Sequence, residues 1–207
     1  MLSQNRLLEL LRPFGVNLSD SQAAQTLNYL HLLLRWNEKI NLTAIRDPEE
    51  AVTRHFGESL FPATHLQLRG TLLDIGTGAG FPGLALKIVF PDLAVTLLEP
   101  VTKKRAFLKE AVRVCGFTEV SIRGERLEDL VAASDPLNFE LATMRAVGNL
   151  EVLVPLAAKA LKSSGKCLLW LSSEQGANLG SINSGLNWGQ PLKMPISQTE
   201  IWCGEKA

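Results

Sequence analysis

The part of the chain whose residue types could do chemistry is a glycine-rich stretch that begins with an acid. An apolar run ends at Asp74, and Gly76, Gly78 and Gly80 follow before a helical pattern starts near Leu84. Glycine allows positive φ and lets the backbone lie directly against a ligand, because no Cβ stands between them. The helix that follows has unpaired N–H groups at its start, which favour a negatively charged group. The stretch therefore predicts a loop that holds a nucleoside-containing cofactor.

The positions of the glycines and of two carboxylates distinguish between cofactors. The dinucleotide fingerprint G-x-G-x-x-G requires a third glycine where this chain has Phe81. Asp74 stands two residues before the first glycine, where a carboxylate would repel a pyrophosphate but suits a ligand with an ammonium and a sulfonium. Glu99 ends the next apolar run and could accept hydrogen bonds from both ribose hydroxyls. The pattern favours S-adenosylmethionine. The alternative is that Asp74 caps a turn and Glu99 is a solvated strand end.

Alternating strand and helix patterns from Thr71 onward predict the frame for this loop. Strands are expected at 71–75, 94–99, 119–122, 138–144 and 166–171, and helices at 82–90, 102–115, 125–132, 149–162 and 174–180. This alternation is typical of a parallel sheet with helices on both faces. Such a sheet would bring Asp74, the glycine loop and Glu99 to one crevice at its strand ends. A hairpin is expected at 186–203, closing the sheet edge.

Residues 1 to 68 carry helical patterns and precede the first strand. Ser19 begins a capping box, and Asp47 is an expected N-cap followed by Pro48. The predicted fold class is α/β. It combines a Rossmann-like class I S-adenosylmethionine-dependent methyltransferase sheet at 69–207 with an N-terminal helical extension at 1–68.

Composition restricts the classes of function. The chain has 207 residues, 46% of them hydrophobic, and its 21 Lys+Arg balance 21 Asp+Glu. No apolar run reaches the ~20 residues of a membrane span, and the N-terminus lacks the pattern of a signal peptide. The three cysteines fit no zinc spacing and are interpreted as reduced thiols, so we expect a cytoplasmic protein without a metal. Because the charges balance, a nucleic-acid partner would have to bind a local basic patch. We expect a monomer.

The segment after the fourth predicted strand and the positions of the cysteines exclude several classes of methyl acceptor. Residues 142–146 read ATMRA and lack the motif of Asn, Asp or Ser followed by Pro-Pro-aromatic that grips the amino groups of adenine or cytosine. Carbon-5 methylation of pyrimidines needs a nucleophilic cysteine, typically in Pro-Cys, and no cysteine here follows a proline. A ring nitrogen with a free lone pair, such as guanine N7, remains, and it needs no catalytic base. No catalytic residue is assigned, with Arg145 the one candidate. Arg145 could hold the cofactor carboxylate, a phosphate or a base edge, and the alternative is a structural salt bridge to Glu99 or Glu128.

Basic residues and an aromatic residue in and near the N-terminal segment suggest an RNA-facing surface. The candidate RNA-binding residues are Arg35, Lys39, Arg46, Arg54, Lys103 and Lys104. Trp36 lies among them, and basic surfaces with aromatics are typical of single-stranded RNA recognition. The alternative is that each charge belongs to a solvated face and that Trp36 packs in a helical core.

These residues together resemble the bacterial 16S ribosomal RNA guanine-N7 methyltransferase G family, also called glucose-inhibited division protein B. The matching motifs are Trp36-Asn37, Asn41-Leu42-Thr43, Arg46-Asp47-Pro48, Arg54-His55, Ser59, the loop from Asp74 to Gly83, Lys104-Arg105, Phe107-Leu108, Arg126, Glu128 and Arg145-Ala146. The resemblance implies methyl transfer from S-adenosylmethionine to N7 of one guanine in the decoding-region stem-loop of 16S rRNA in the small ribosomal subunit. It also implies cofactor contacts at Gly76, Phe81, Leu127, Glu128 and Arg145, with Glu99 at the ribose position.

The chain departs from the family pattern at three places, and one of them, the missing lysine, motivates an alternative function. Glu58 stands where the family usually has Asp, residues 168–173 lack the lysine usual after the fifth strand, and residues 198–203 carry no basic side chain. The alternative is an S-adenosylmethionine-binding, RNA-binding protein with weak or lost transferase activity. A nicotinamide-dependent oxidoreductase is disfavoured by Asp74 and Phe81.

Overall fold

The computed structural model describes residues 2–133 and 137–207, which form helices around an eight-stranded sheet. The strands are β1 (Thr71–Ile75), β2 (Ala94–Leu98), β3 (Val120–Arg123), β4 (Phe139–Arg145), β5 (Leu161–Ser172), β6 (Leu186–Trp188), β7 (Leu192–Lys193) and β8 (Thr199–Lys206). Their order is β3-β2-β1-β4-β5-β8-β6, and β7 also pairs with β8. Strands β1 to β5 are parallel and β8 is antiparallel to β5, so the carboxyl ends of the first five strands share one edge.

The helices cover both faces of this sheet. They are α1 (Gln4–Leu11), α2 (Asp20–Asn37), α3 (Pro48–Ala51), α4 (Glu58–Leu60), α5 (Gly83–Val89), α6 (Thr102–Val114), α7 (Leu127–Ala133), α8 (Leu150–Ala160) and α9 (Ser173–Ala177). Leu72 and Leu73 of β1 are both fully buried but belong to different apolar cores, as expected where successive strand residues point to opposite faces. One core contains Phe107 of α6, and the other contains Leu130 of α7.

The N-terminal helices begin where the sequence predicts and pack onto the sheet. Ser19 forms the expected capping box of α2, and the Asp47 carboxylate accepts a hydrogen bond from the Glu50 N–H at the start of α3. Between α3 and α4, Val52–Gly57 form a π-helix. Within the described residues, the buried side chains of this segment share one core with β1 and α5. The division of the chain at residue 68 stays a prediction.

The predicted element order after Thr71 is confirmed, with corrections near the C-terminus. The helix expected to end at 162 ends at Ala160, and the strand expected at 166 begins at Leu161. Leu161 is buried and pairs with Phe139, so sheet pairing overrides the local helical pattern. The last helix ends at Ala177 instead of 180. The expected terminal hairpin is present: β6 and β7 both pair antiparallel with β8, and β8 also pairs with β5, so the hairpin closes this edge of the sheet.

Other sequence-based expectations concern membranes, metals and disulfides. Across the described ranges, no helix is both long and apolar enough to cross a bilayer. The same residues contain no cluster of His, Cys, Asp and Glu arranged to hold a metal ion. Cys115, Cys167 and Cys203 are free thiols, and burial raises the pKa of each above its usual value.

Tyr29 of α2 holds the glycine loop from the N-terminal side. Its hydroxyl donates a hydrogen bond to the carbonyl oxygen of Ala79, and burial raises the pKa of Tyr29 well above its usual range, so the donor proton is retained. Gly80 has φ +89°, and a Cβ built on it would overlap the Tyr29 hydroxyl and lie 2.8 Å from Leu84 Cδ1. Both the backbone conformation and the approach of Tyr29 therefore require glycine at this position.

We expect Gly80→Ala to lower the free energy of unfolding by about 2–3 kcal/mol, since the strain of positive φ adds to the overlap with Tyr29. Tyr29→Phe removes the overlapping hydroxyl, so the double variant should lose less stability than the two single losses combined. Urea denaturation of the four proteins measures this coupling. Gly180→Ala is the matched control, because a Cβ there meets nothing within 4 Å. Strictly additive losses at Gly80 and Tyr29 would contradict the contact.

Candidate active site

A cavity of about 260 Å³ lies at the carboxyl ends of β1 and β4. This is where the strand order reverses, the position at which open α/β sheets bind ligands. Its wall combines the glycine loop, the β4 end and the N-terminal segment: Leu42, Thr43, His55, Gly76, Thr77, Gly78, Ala79, Phe81, Lys104, Arg145 and Ala146. We call it the loop cavity. Of the predicted cofactor residues, Gly76, Gly78, Phe81 and Arg145 line it.

Asp74 organises the glycine loop from beneath. Its side chain is fully buried and accepts hydrogen bonds from the Thr77 hydroxyl, from the Gly83 N–H at 2.9 Å and from the Thr143 hydroxyl at 2.8 Å. Burial raises the pKa of Asp74 to about 6, although these three hydrogen bonds act against the rise. Asp74 therefore caps the turn, which is the alternative interpretation of the sequence. A direct contact with the cofactor stays a prediction, and the side chain has no exposed surface to make one.

Glu99 joins the end of β2 to the same loop. One carboxylate oxygen accepts a hydrogen bond from the Gly78 N–H at 3.0 Å, and the other accepts from the Val101 N–H at 2.9 Å. Arg105 donates to the backbone oxygen of Glu99 at 2.9 Å. The residue is buried at the strand end and is not solvated there. The predicted convergence of Asp74, the loop and Glu99 is observed, while the ribose contact of Glu99 stays a prediction.

Phe81 fills the third-glycine position of the dinucleotide fingerprint with an aromatic ring, and that ring is part of a stack. Its centroid lies 5.2 Å from that of Tyr29 with 2° between the planes, and 4.9 Å from that of His55 with 19° between them. Phe56 meets the same ring edge-on at 5.0 Å. Offset stacked and edge-on pairs are the favoured aromatic geometries. The stack joins the glycine loop to α2 and to the π-helix.

His55 forms part of the cavity wall, a role that the sequence did not indicate. Its Nε2 lies 2.8 Å from the Thr43 hydroxyl oxygen. Burial, aided by the positive charges of Arg145 and Arg54, lowers the pKa of His55 to about 4, so the ring is neutral near pH 7. The ring is placed by the π-helix, a feature often found at functional sites. The adjacent Arg54-His55 pair was the only local signal.

Arg145 leaves the end of β4 and binds the N-terminal segment. Its guanidinium donates to Glu58 Oε2 at 2.7 Å, to the Ser59 hydroxyl at 2.9 Å, and to the backbone oxygens of Arg54 and His55. The structural salt bridge considered for Arg145 therefore exists, but its partner is Glu58 and not Glu99 or Glu128. Arg145 nevertheless contributes to the cavity wall, so its contact with the cofactor or with RNA stays a prediction.

Glu58 is the centre of this network and was missed as a site residue. Its carboxylate is buried, and besides Arg145 it binds Arg54 at 3.2 Å and the Ser197 hydroxyl at 2.9 Å. Its backbone oxygen also accepts a hydrogen bond from Trp170 Nε1 at 2.8 Å. The sequence offered one hint, because position 58 is where the chain departs from the family's usual Asp.

Five predicted cofactor residues lie outside the cavity wall: Asp74 and Glu99, which support the loop as described above, and Gly80, Leu127 and Glu128. Leu127 is buried in the core that contains Leu130, and Glu128 is exposed on α7. Their predicted contact with the adenine is untested. Gly80 lies beneath the loop against Tyr29 and not at the cavity surface.

The six candidate RNA-binding residues differ in their surroundings. Arg54 is ion-paired with Glu58, and Lys104 lines the loop cavity. Among the residues the structure describes, exposed side chains without an ion pair are found at Arg35, Lys39, Arg46 and Lys103. Trp36 packs edge-on against Phe107 at 5.7 Å, so it belongs to the helical packing and not to an exposed aromatic surface.

Comparison with known proteins places the chain in a family. The sequence model described as GidB, rRNA small subunit methyltransferase G, matches residues 22–184. The chain belongs to this family. A Chloroflexus aggregans protein named ribosomal RNA small subunit methyltransferase G is 40% identical over 168 residues, 80% of this chain and 71% of the relative. A Staphylococcus haemolyticus protein of the same name is 35% identical over 179 residues, 86% of this chain and 75% of the relative.

The fold is shared with more distant methyltransferases. The crystal structure of a precorrin-6y C5,15-methyltransferase from Geobacter metallireducens superposes with a TM-score of 0.56 at 16% identity, covering 72% of this chain and 87% of the other. At that identity the likeness concerns the fold alone. The chain therefore has the Rossmann-like class I methyltransferase sheet that its sequence predicts.

We expect Arg145→Ala to lower the free energy of unfolding by about 3 kcal/mol, because it leaves the buried Glu58 carboxylate without its closest partner. Replacing both residues in Arg145→Met/Glu58→Met should restore part of that stability, since no buried charge remains unpaired. Thermal and urea unfolding measure both changes. Arg113→Ala is the control, because Arg113 forms an exposed ion pair with Glu110 and should cost under about 1 kcal/mol. A loss at Arg145 no larger than at Arg113 would rule out this role.

Proposed function

We propose that this chain transfers a methyl group from S-adenosylmethionine to N7 of a guanine in the 16S rRNA of the small ribosomal subunit. Membership of the rRNA small subunit methyltransferase G family supports the reaction class. The observation that carries the proposal is the loop cavity, which lies at the sheet's switch point and is bounded by the glycine loop and the N-terminal segment. We place the activity in the cytoplasm and in a monomer.

The residues around the loop cavity fit the cofactor. Gly76 and Gly78 have φ +68° and +59°, so the loop presents bare backbone to the cavity where a side chain would be strained. A Cβ on Gly76 would lie 3.1 Å from Val147, so even the smallest side chain would crowd this wall. The Glu99 carboxylate lies against the Gly78 N–H, at the strand end where a ribose is expected. Gly76, Gly78, Glu99 and Phe81 are therefore the residues that we propose hold S-adenosylmethionine.

The side chains of the site hold the reactants in position and do not need to transfer a proton. When bound, S-adenosylmethionine supplies an activated methyl: the N7 lone pair forms the new C–N bond, and the electrons of the broken S–C bond stay on sulfur, giving S-adenosylhomocysteine. N7 carries no proton, so no base is needed at the acceptor atom. His55 is neutral and hydrogen-bonded to Thr43, and the Arg145 guanidinium is bound by protein oxygens. Fixed groups of this kind are suited to holding two reactants in line.

We assign the RNA contact to the basic side chains of the N-terminal extension, 1–68, and the adjacent start of α6. Trp36 packs on Phe107, which brings the end of α2 next to α6. Arg35, Arg46 and Lys103 are exposed and free of ion pairs in the described part of the chain, so their charges are available to phosphates. Free rRNA and the assembled subunit are both candidate acceptors for this surface.

A second function, RNA binding without efficient transfer, is favoured by one observation. The strand β5 ends in Ser172 and α9 begins with Ser173 and Glu174, so no lysine stands where the family usually has one. The two functions differ in a single measurable property, methyl transfer.

The deciding experiment incubates the protein with methyl-labelled S-adenosylmethionine and small ribosomal subunits that lack the modification. We expect label at N7 of one 16S guanine, located by chemical cleavage at 7-methylguanosine. Free 16S rRNA in a parallel reaction identifies the preferred acceptor. Cofactor binding measured by calorimetry without any label on RNA would exclude the transferase and leave the RNA-binding alternative. Label on another base would exclude guanine N7.

The triple variant Arg35→Gln/Arg46→Gln/Lys103→Gln should bind RNA more weakly with a flatter salt dependence. The slope of log K against log salt is expected to fall by roughly 0.7–0.9 for each phosphate that the variant no longer neutralises. Fluorescence titrations at several salt concentrations measure this slope. Lys159→Gln on α8 serves as the control for removing a distant exposed charge. An unchanged slope in the triple variant would place the RNA surface elsewhere, and S-adenosylmethionine affinity should stay constant throughout.

A further inference from the structure

A second cavity, of about 490 Å³, lies at the carboxyl end of β5, the strand next to β4 in the sheet. It is bounded by the end of β5, the start of α9 and the chain that leads from β7 into β8. Its wall includes Ser172, Glu174, Lys193, Met194, Ser197 and Glu200. We call it the β5 cavity. Its volume falls within the range of small-molecule sites and is ample for a nucleobase.

Glu200 is an unusual member of this wall. Only 8% of its surface is exposed, yet in the described ranges its carboxylate has neither a hydrogen-bond nor an ion-pair partner. The other buried carboxylates, Asp74, Glu58 and Glu99, all have protein donors. Lys193 is the register partner of Glu200, but the two side chains form no ion pair. Although most of the residue is buried, Glu200 is part of the cavity wall, so its carboxylate is available to a ligand that brings hydrogen-bond donors.

The β5 cavity is joined to the loop cavity through shared side chains. Ser197, in its wall, donates to Glu58, and Glu58 holds Arg145 in the wall of the loop cavity. In the sheet, Arg145 pairs with Trp170, and Glu200 pairs with the next residue of β5, Leu171. Two strand spacings separate β4 from β8, roughly 10 Å. Because Trp170 and Leu171 are successive residues of β5, Glu200 lies on the opposite face of the sheet from Arg145. A purine held at Glu200 would therefore reach the loop cavity across the carboxyl end of β5, where the β5 cavity lies.

We propose that the β5 cavity receives the acceptor guanine, extruded from the RNA, and that Glu200 binds its Watson–Crick edge. This inference rests on the proposed function. Guanine presents two adjacent donors there, N1–H and the 2-amino group, which match the two acceptor oxygens of a carboxylate. Adenine and cytosine place an acceptor beside their amino group, and uracil flanks one N–H with two carbonyls. In each of these bases an acceptor atom would therefore face an acceptor oxygen of the carboxylate and repel it. Enzymes that modify a base commonly extrude it and read this edge.

The same contact favours the reaction as well as recognition. N7 lies on the edge of the purine away from N1 and the 2-amino group, so a base held by Glu200 leaves the reacting atom free. Methylation at N7 makes the purine positively charged and its N1–H and amino protons more acidic. The negative charge of Glu200 therefore binds the guanine more strongly as the methyl is transferred, which is the condition for lowering the barrier.

Glu200→Gln is the decisive variant, because it keeps the side-chain shape but turns one acceptor into a donor. We expect its kcat/KM on small ribosomal subunits to fall about 10- to 100-fold, the range for losing a hydrogen bond to a charged group in a buried site. S-adenosylmethionine affinity should not change. The thermal midpoint should stay level, since the substitution removes no hydrogen bond or ion pair seen in the described residues. Glu205→Gln, on the exposed part of the same strand, is the matched control and should behave as the wild type.

A second measurement uses the wild-type protein as well as the variant and tests the contact between Glu200 and the 2-amino group of the guanine. Subunits reconstituted with 16S rRNA that carries inosine at the target position lack the 2-amino group. The wild type should use them about 10-fold less well, whereas Glu200→Gln should discriminate far less between the two substrates.

The outcomes separate this inference from the proposed function. Full activity of Glu200→Gln, or equal inosine discrimination by both proteins, would overturn the guanine site while leaving the transferase intact. A lowered midpoint together with lost cofactor affinity would assign Glu200 a structural role and also overturn it. Absence of any transfer by the wild type would overturn the proposed function and this inference with it.

Discussion

The buried pairing of Arg145 with Glu58 is the interaction on which the rest of the site depends. It joins the end of a central strand to a helical segment 87 residues earlier in the chain. Neither charge is stable alone in that position, because a buried charge without a partner is strongly destabilising. The planar guanidinium also donates hydrogen bonds to the Ser59 hydroxyl and to two backbone oxygens, so several contacts together hold it in one orientation. This one contact therefore fixes where the N-terminal segment lies on the sheet.

Two consequences follow for the shape of the loop cavity. Arg145 binds the backbone oxygens at 54 and 55, and so it holds the π-helical turn that carries the His55 ring. On the opposite side, Tyr29 binds Ala79 and stacks on Phe81, so α2 holds the glycine loop. The cavity is thus formed between two parts of the chain that share one core. A change in the N-terminal segment should therefore alter the cofactor side of the site without any direct contact.

The sequence predicted the features that depend on local pattern. The glycine loop and the first four strands follow from residue order within short stretches, and the convergence of Asp74 with Glu99 follows from parallel topology. Glu58 could not be recognised as the partner of Arg145, because nothing local links residues so far apart. The π-helix has no sequence signature, so the place of His55 in the wall was also missed. Leu161 was assigned to a helix since its pairing with Phe139 depends on the sheet.

Two of the three basic side chains in the wall of the loop cavity, Arg145 and His55, are prevented from opposing a cationic methyl donor. Arg145 alone would repel a sulfonium, but its charge is offset by Glu58 at 2.7 Å. His55 would add a second positive charge if protonated, but burial and the neighbouring arginines lower its pKa to about 4. The same arginines that position the wall thus also keep the histidine neutral. Lowering the pH toward 4 would protonate this ring and oppose both folding and the binding of a cation, because its folded-state pKa is depressed. A site that works by holding the methyl donor and acceptor in line can in this way tolerate basic residues close to a positively charged ligand.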